Sequence, residues 1–485
     1  MIRDRLRFLL GGELQEIRDI DPTMTVLDWL RLRKSLSGTK EGCAEGDCGA
    51  CTVVIGRAEG ERMRYEAVNA CIRFMPTLDG CHLLTVEHLR RPDGRLHPVQ
   101  QAMVDCHGSQ CGFCTPGFIM SLFALWLNED RPGDDRVRDV LAGNLCRCTG
   151  YAPIIAAARR MYELGVSSDE PAPPTGLTLD GADDTLVLEQ AGRRFIAPAT
   201  SDALAGILVE NPDATIVSGA TDVGLWVTKQ LRVLRDVVYL GRIGEMRRIE
   251  ETATAIEIGG AATFADAEPV LARFYPDFGE LLRRTGGLQV RNVGTIGGNI
   301  ANGSPIGDSP PALIAIGATL TLRRGDERRS MPLEDFFIAY GRQDRRPGEF
   351  VERISVPKPA AGVEFRVYKI SKRFDQDISA LCGAFLIERD DGVVTRARIA
   401  FGGMAGTPKR AKAAEAMLLG QLWNAATVAT AVEALRGDYA PLTDWRASAE
   451  YRRTVAANLL MKFFLETTAP AADTRLVGGR RLIHA

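Results

Sequence analysis

Eight of the eleven cysteines fall into two tight groups, and these constrain the fold more than anything else in the 485 residues. In the first, Cys43, Cys48 and Cys51 are spaced C-x4-C-x2-C inside the run Gly42-Cys43-Ala44-Glu45-Gly46-Asp47-Cys48-Gly49-Ala50-Cys51, and Cys71 stands apart as a fourth. The second opens with Gly108-Ser109-Gln110-Cys111-Gly112-Phe113-Cys114-Thr115-Pro116-Gly117. It closes with Asn144-Leu145-Cys146-Arg147-Cys148-Thr149-Gly150, after an apolar segment from Phe118 to Leu127. Each group offers four thiolates to one site. Pro116 predicts a helix starting at Thr115, and Tyr151-Ala152-Pro153 predicts another running to Tyr162. At such starts, free backbone N–H groups and the positive end of the helix dipole stabilise thiolate and bound sulfide. A metal cluster is the simplest reading.

C-x4-C-x2-C with a distant fourth cysteine is the ligand spacing of plant-type two-iron clusters. Glycines within it permit positive φ, so the loop can wrap a compact inorganic core and aim amides at it. Zinc is the alternative, since four-cysteine zinc sites also use closely spaced pairs. Zinc ribbons, however, pair two C-x2-C knuckles, whereas here a glycine-rich three-cysteine loop leads into the strand-like Thr52 to Ile55. Mixed cysteine and histidine ligation is disfavoured because Cys81-His82 and Cys106-His107 lack the spacing it needs. Cys81, Cys106 and Cys382 are expected to be small buried hydrophobes, and Asp47 to be solvated.

Net charge is −2 and the isoelectric point is near 6.3, so no global basic field draws the chain to nucleic acid or an anionic membrane. The N-terminus mixes charge into a short apolar run, unlike a secretory signal, and no stretch reaches membrane-spanning length. An odd cysteine count without an export signal predicts reduced thiols and a cytoplasmic location.

The remaining pattern divides the chain. Leu6, Phe8 and Leu10 alternate into a turn at Gly11-Gly12, a hairpin signal, and Thr25 to Leu32 reads as a short helix. Helical periodicity follows at Val99 to Val104, Phe118 to Leu127, Val137 to Leu141 and Ile154 to Leu164, four helices around one site. Residues 167–190, rich in proline and acidic side chains, read as a linker. Beyond it, the strand Ala214 to Val217 ends in Ser218-Gly219-Ala220-Thr221-Asp222-Val223-Gly224, with Leu225 to Leu231 helical behind it. A second glycine-rich stretch runs from Gly286 through Thr295-Ile296-Gly297-Gly298-Asn299 to Ser304-Pro305-Ile306-Gly307-Asp308. Neither fits a Rossmann or P-loop motif, yet both supply close-approach backbone and polar groups for a nucleotide. From Glu364 a separate α+β domain is expected, in which an extended stretch, Phe365 to Ile370, leads into Ser371 to Asp377, a cluster that forms either a solvated turn or a basic face toward flavin or nicotinamide phosphates.

Over its whole length the chain resembles the iron–sulfur/FAD small subunits of bacterial xanthine dehydrogenases, within the molybdenum hydroxylase family. The resemblance implies an α+β multidomain fold: a β-grasp 2Fe-2S ferredoxin domain at 1–85, a four-helix 2Fe-2S-binding bundle at 86–166, the linker at 167–190, an α/β FAD-binding domain of the vanillyl-alcohol-oxidase/PCMH type at 191–362, and an α+β CO-dehydrogenase-flavoprotein-like domain at 363–485. It assigns Cys43, Cys48, Cys51 and Cys71 to one 2Fe-2S cluster and Cys111, Cys114, Cys146 and Cys148 to the other. FAD would be bound by Val217, Ser218, Gly219, Ala220, Thr221, Asp222, Val223, Gly224, Thr295, Gly297, Gly298, Asn299, Ser304 and Asp308, with Tyr340, Lys369 and Asp375 lining its pocket. Gln110 and Cys148 would face the molybdopterin of a partner subunit.

The implied activity is an electron relay in purine catabolism: hypoxanthine or xanthine is oxidised at the partner's molybdenum, and electrons pass through the bundle cluster, the ferredoxin-like cluster and FAD to NAD+. With no length for a molybdenum half before Ala485, a separate large subunit and a dimer of heterodimers are expected. A related hydroxylase of aldehydes or N-heterocycles, a stand-alone NAD(P)H reductase, and a non-enzymatic zinc scaffold remain the alternatives.

Overall fold

The computed structural model describes residues 2–60, 62–91, 93–165, 184–470 and 474–475. The chain divides into two compact units, Met1–Glu245 with Gly286–Gly294, and Met246–Thr285 with Thr295–Ala485.

The first unit opens on the expected hairpin. Leu6–Leu10 pairs antiparallel with Glu13–Ile17, Leu10 opposite Glu13, and Gly11 takes the positive φ (59°) that the turn requires. His82–Leu84 adds parallel to Leu6–Leu10, and the Thr52–Glu59 and Arg62–Asn69 hairpin completes five strands. Leu6, Phe8, Val53, Ile55 and Leu83 fill its core. The short helix is capped by Thr25, whose Oγ1 accepts the Asp28 N–H at 3.0 Å; Trp29–Arg33 continues it as a wider turn.

Four helices follow at Pro98–Asp105, Thr115–Asn128, Asp134–Leu141 and Ala152–Leu164. Thr115–Asn128 is apolar almost all round because it is enclosed, packing on the bundle and also on strands Thr52–Glu59 and Arg62–Asn69. Trp126 stacks on Tyr162 with ring centroids 5.1 Å apart.

A second sheet runs in the order Ile2–Arg3, Thr185–Gln190, Arg193–Ala197, Asp236–Tyr239, Thr215–Val217. This corrects the linker: Thr185–Gln190 is a strand, its Leu186 and Leu188 buried, and Ile2 pairs in parallel with Thr185. The acidic and proline-rich composition upstream masked a short alternating segment. Residues 167–183 of the expected linker lie outside the described residues. The helix after the first glycine loop is Val223–Thr228, two residues earlier than the pattern suggested and ending before Leu231, which has a φ of 54°.

The second unit holds an antiparallel sheet ordered Ile249–Glu251, Ala255–Gly259, Phe350–Pro357, Thr319–Arg324, Glu327–Pro332, with helices including Phe264–Phe274, Pro276–Arg283, Ile296–Asn302 and Ser309–Ile316. Its last part is a meander, Glu364–Ile370, Leu381–Asp390, Val393–Gly402 and Lys409–Arg410, covered by helices Lys412–Leu418, Ala425–Asp438 and Ala449–Thr468. Phe385 links them, stacked on Phe463 and edge-on to Phe401.

Candidate functional site

In the first cysteine loop, Ala44, Gly46 and Gly49 all have positive φ (54°, 78° and 71°), and the backbone curls around the Cys43 sulfur. Cys43 Sγ accepts the N–H groups of Asp47 at 3.3 Å and Cys48 at 3.4 Å. Asp47 is therefore part of the cradle through its backbone and is half-buried, not simply solvated. Asn69 ties the loop down: its Nδ2 donates to the Gly46 carbonyl at 2.8 Å, while its Oδ1 accepts from Cys51 Sγ at 3.8 Å. A Cβ on Gly42 would lie 2.7 Å from Cys48 Sγ.

The four sulfurs are in mutual reach. Hydrogen bonds from the Cys48 and Cys71 thiols pull the Cys43 thiol far below its ordinary range. In turn Cys43 holds Cys48 up, and Cys43 and Cys51 hold Cys71 up. Four thiols sharing so little space cannot all ionise together without a multivalent cation among them. The donor set, all sulfur with amides aimed at it, fits a 2Fe-2S core.

The second set is built from two loop ends. Cys114 occupies the N-cap position of Thr115–Asn128, with Pro116 in the first turn. Cys146 and Cys148 precede Ala152–Leu164, whose N-cap Tyr151 is left-handed at φ 68°. Tyr151 OH accepts the Cys146 N–H at 3.0 Å. Burial, and then the Cys146 thiol, push the Cys114 thiol up to about 12. Burial also opposes ionisation of Cys146, but hydrogen bonds from Thr149, from backbone amides and from Cys114 outweigh it and lower that thiol. The Cys148 thiol is raised by its hydrogen bond with Cys111. This set lines an open recess of about 420 Å³ together with Phe113, Leu145, Arg147 and Tyr151. Cys111 and Cys148 are exposed, as is Gln110.

Of the leftover cysteines, Cys81 and Cys382 are buried, but Cys106 is only partly so; it caps the end of Pro98–Asp105 instead of entering the core.

The first glycine loop leaves strand Thr215–Val217 through Ser218 and Gly219 to Ala220, which adopts φ 59°. A Cβ on Gly219 would lie 1.9 Å from the Val293 carbonyl oxygen, so no larger residue fits. Val217 and Gly224 are buried, Ser218, Thr221 and Val223 half-buried, and Asp222 exposed. Thr228 Oγ1 donates to the Ala44 carbonyl at 2.8 Å, joining the helix behind this loop to the first cysteine loop.

In the second unit, Thr295 caps Ile296–Asn302 by accepting the Gly298 N–H at 3.0 Å, and a Cβ on Gly297 would lie 2.3 Å from the Gly260 carbonyl oxygen. Asn299 Oδ1 accepts from Ser309 Oγ at 2.7 Å, and Ser304 Oγ accepts the Ile306 N–H at 3.4 Å. Asp308 and Lys369 are brought together as a buried ion pair. The same carboxylate accepts from Ser379 Oγ at 2.5 Å and Thr285 Oγ1 at 3.4 Å. Lys369 is thus engaged by a carboxylate within the core, not held out toward solvent. Asp375 accepts from Arg283 at 3.4 Å, and Tyr340 is 78% exposed; neither belongs to the Asp308 cluster.

Family models match four consecutive stretches: "2Fe-2S iron-sulfur cluster binding domain" at 9–75, "[2Fe-2S] binding domain" at 85–159, "FAD binding domain in molybdopterin dehydrogenase" at 190–359, and "CO dehydrogenase flavoprotein C-terminal domain" at 366–467. The chain is 30% identical to xanthine dehydrogenase/oxidase of Gallus gallus, over 95% of this chain and 40% of that protein. It is 29% identical to aldehyde oxidase 2 of Rattus norvegicus, over 98% and 40% respectively. The chain belongs to the molybdenum hydroxylase family. Among solved structures, a carbon monoxide dehydrogenase chain from Hydrogenophaga pseudoflava aligns with a TM-score of 0.53 at 29% identity, covering 55% of this chain and 93% of that one. A quinoline 2-oxidoreductase chain from Pseudomonas putida 86 gives 0.51 at 26% identity, covering 56% and 94%. This member of the family carries 2Fe-2S-binding and FAD-binding domains, and it spans about 40% of the length of the curated relatives it matches. Among the described residues no helix is long and apolar enough to cross a membrane.

Sequence reasoning passed over two buried polar residues, Asn144 and Gln289, both within 2% of full burial. A polar residue flanked by glycines, Gly143 before the one and Gly287 near the other, is the signal that could have found them.

Proposed function

We propose that this chain is the iron–sulfur/FAD subunit of a xanthine dehydrogenase, passing electrons from a molybdopterin site on a large partner subunit to FAD and on to NAD+. One observation carries the reading: within the first unit, a solvent-open four-cysteine set and an enclosed one occur together, and the enclosed one is tied to the first flavin loop by Thr228 and Ala44. An entry point needs access and an intermediate needs shelter. When bound, the clusters would supply one-electron and the flavin two-electron chemistry.

The chain's own residues divide the work accordingly. Cys111, Cys114, Cys146 and Cys148 would hold the outer cluster, and Cys43, Cys48, Cys51 and Cys71 the inner one. Phe113, Leu145 and Tyr151, each more than a third exposed, surround the outer site with an apolar rim, the kind of patch that a partner covers. Cys148 lines that recess and Gln110 is exposed next to Cys111 in the chain; on the resemblance, these two would face the molybdopterin of the partner. Val217 to Gly224 and Thr295 to Asp308 would bind FAD, with the Asp308–Lys369 pair holding the second loop in shape. Tyr340 and Asp375 are retained as flavin-pocket residues on resemblance alone. A dimer of heterodimers follows from the same resemblance.

Similarity to xanthine dehydrogenases and to aldehyde oxidase 2 alike keeps a second reading in view, a hydroxylase of aldehydes or N-heterocycles. Purification with the partner, followed by assay of xanthine, hypoxanthine and an aromatic aldehyde against NAD+, separates them. Purine turnover with NADH formation is expected. Turnover of the aldehyde alone would move the chain to the second reading, and material with FAD but no molybdenum partner would make it a stand-alone reductase.

A further inference from the structure

The two cysteine sets meet at a buried polar knot. Leu145, the residue before Cys146, donates its N–H to the Cys48 carbonyl at 2.9 Å. Beside it, Asn144 Nδ2 donates to the Gly49 carbonyl at 3.0 Å and to Thr52 Oγ1 at 3.3 Å. Asn144 Oδ1 accepts from Ser121 Oγ at 2.7 Å. Into this knot reaches Gln289, from the segment Gly286–Gly294 that belongs to the same unit. Its Nε2 donates to Asn144 Oδ1 at 2.9 Å and lies 3.0 Å from Ser121 Oγ and 3.3 Å from Thr52 Oγ1. Gln289 is 1% exposed, and its Oε1 has no hydrogen-bond partner.

Such a carbonyl is costly to bury unpaired, so its placement needs a reason. The geometry supplies one: only backbone fits around it. A Cβ on Gly143 would lie 2.0 Å from Gln289 Oε1, one on Gly49 would lie 2.2 Å from the Gly143 carbonyl oxygen, and one on Gly117 would lie 2.2 Å from the Gly49 carbonyl oxygen. Three glycines let the two cysteine loops and the Cys114 helix touch backbone to backbone, and the Gln289 amide locks the crossing.

We propose that Gln289 is a positioning residue for electron exchange between the two cysteine sets, fixing the Asn144–Leu145 backbone so that Leu145 N–H stays bonded to the Cys48 carbonyl. This rests on the electron-relay reading above. In the step served, one electron leaves the outer site, which is oxidised, and the inner site is reduced by it; no proton moves and no bond breaks. Electronic coupling falls off more slowly along covalent bonds and a hydrogen bond than across a gap. From Cys146 the path runs along the covalent chain to the Leu145 amide and crosses a single hydrogen bond to the Cys48 carbonyl, so loosening that hydrogen bond slows transfer without touching a ligand.

The test uses the cofactor-loaded full-length protein with its partner. Gln289→Met keeps the length of the side chain and removes its donors. The expected result is hydrogen exchange at least tenfold faster in the peptide spanning Leu145, and inter-cluster equilibration after flash reduction about tenfold slower, with both cluster paramagnetic signals and the FAD content unchanged. Ser121→Ala, which removes one partner of the amide, should give a two- to threefold effect on the same two rates, and it decides the matter if Gln289→Met fails to fold. Exchange and equilibration both within twofold of wild type, in whichever variant is folded, would overturn the proposal. If the wild-type protein contains no iron or labile sulfide, the relay reading fails on its own, while the Leu145 exchange comparison still judges whether Gln289 holds the crossing.

Discussion

Gly224 sits against the backbone of Ile72, so close that a Cβ at position 224 would lie 2.6 Å from the Ile72 carbonyl oxygen. Ile72 follows Cys71 directly, and Gly224 closes the first glycine loop, proposed above to bind FAD. The two functional segments are therefore in backbone contact, and neither can shift without the other. Gly224→Ala must push the loop away from Cys71 or distort it, at an overpacking cost of about 1–3 kcal/mol. We expect a lowered unfolding midpoint together with partial loss of the ferredoxin-like cluster's paramagnetic signal, while the bundle cluster's signal stays. An unchanged signal and midpoint would mean that the contact relaxes at no cost.

Cys146→Ser tests the second set where the geometry is most specific. The Cys146 sulfur is 3.2 Å from Thr149 Oγ1, and its N–H is held by Tyr151, so a serine would keep the backbone in place and change only the donor atom. Loss of one of two cluster signals and about half of the bound iron is expected. Two intact signals would remove Cys146 from the ligand set.

Lys369→Met tests the Asp308 pair. Breaking a buried ion pair from one side leaves an uncompensated charge and costs about 3–5 kcal/mol. Here Ser379 and Thr285 still donate to Asp308, which places the loss toward the lower end. FAD retention through gel filtration should fall with it. Asp308→Asn in the same chain removes the stranded charge, so the double variant should recover much of the lost stability; a double variant worse than either single would show that the pair acts through something other than charge balance.

Much of this was legible in the residues because local chemistry and global fold agree. The C-x4-C-x2-C spacing, the prolines at Pro116 and Pro153, and the alternation of Leu6, Phe8 and Leu10 each specify one local outcome. What stayed hidden was non-local. Thr185–Gln190 gains its strand partners from Ile2–Arg3 and Arg193–Ala197, and no window of sequence shows that pairing. Lys369 and Asp308 are 61 residues apart, so nothing near Lys369 in the sequence shows that its ammonium has a resident carboxylate. Gln289 owes its burial to glycines at 49, 117 and 143, whose purpose is visible only once the three loops cross.

The ferredoxin-like region should also lose stability in acid for a reason unconnected with metal. Burial holds the imidazoles of both His82 and His88 below their ordinary range. The Gly11 carbonyl, 2.5 Å from His82 Nε2, and the carboxylates of Glu87 and Glu13 near His88 oppose that shift without overcoming it. His88 Nδ1 accepts the Thr85 N–H at 3.1 Å, so a proton placed there would displace the amide that caps the turn. Because the folded state takes up these protons less readily than the unfolded chain, stability is complete above a pH of about 6.5, the free imidazole value, and drains as pH falls below it. Urea midpoints measured at pH 7.5, 6.0 and 5.0 should therefore decline, and His88→Gln should flatten part of the decline by removing one of the two titrating rings. A midpoint that holds steady down to pH 5.0 would show that the buried rings accept their protons in place.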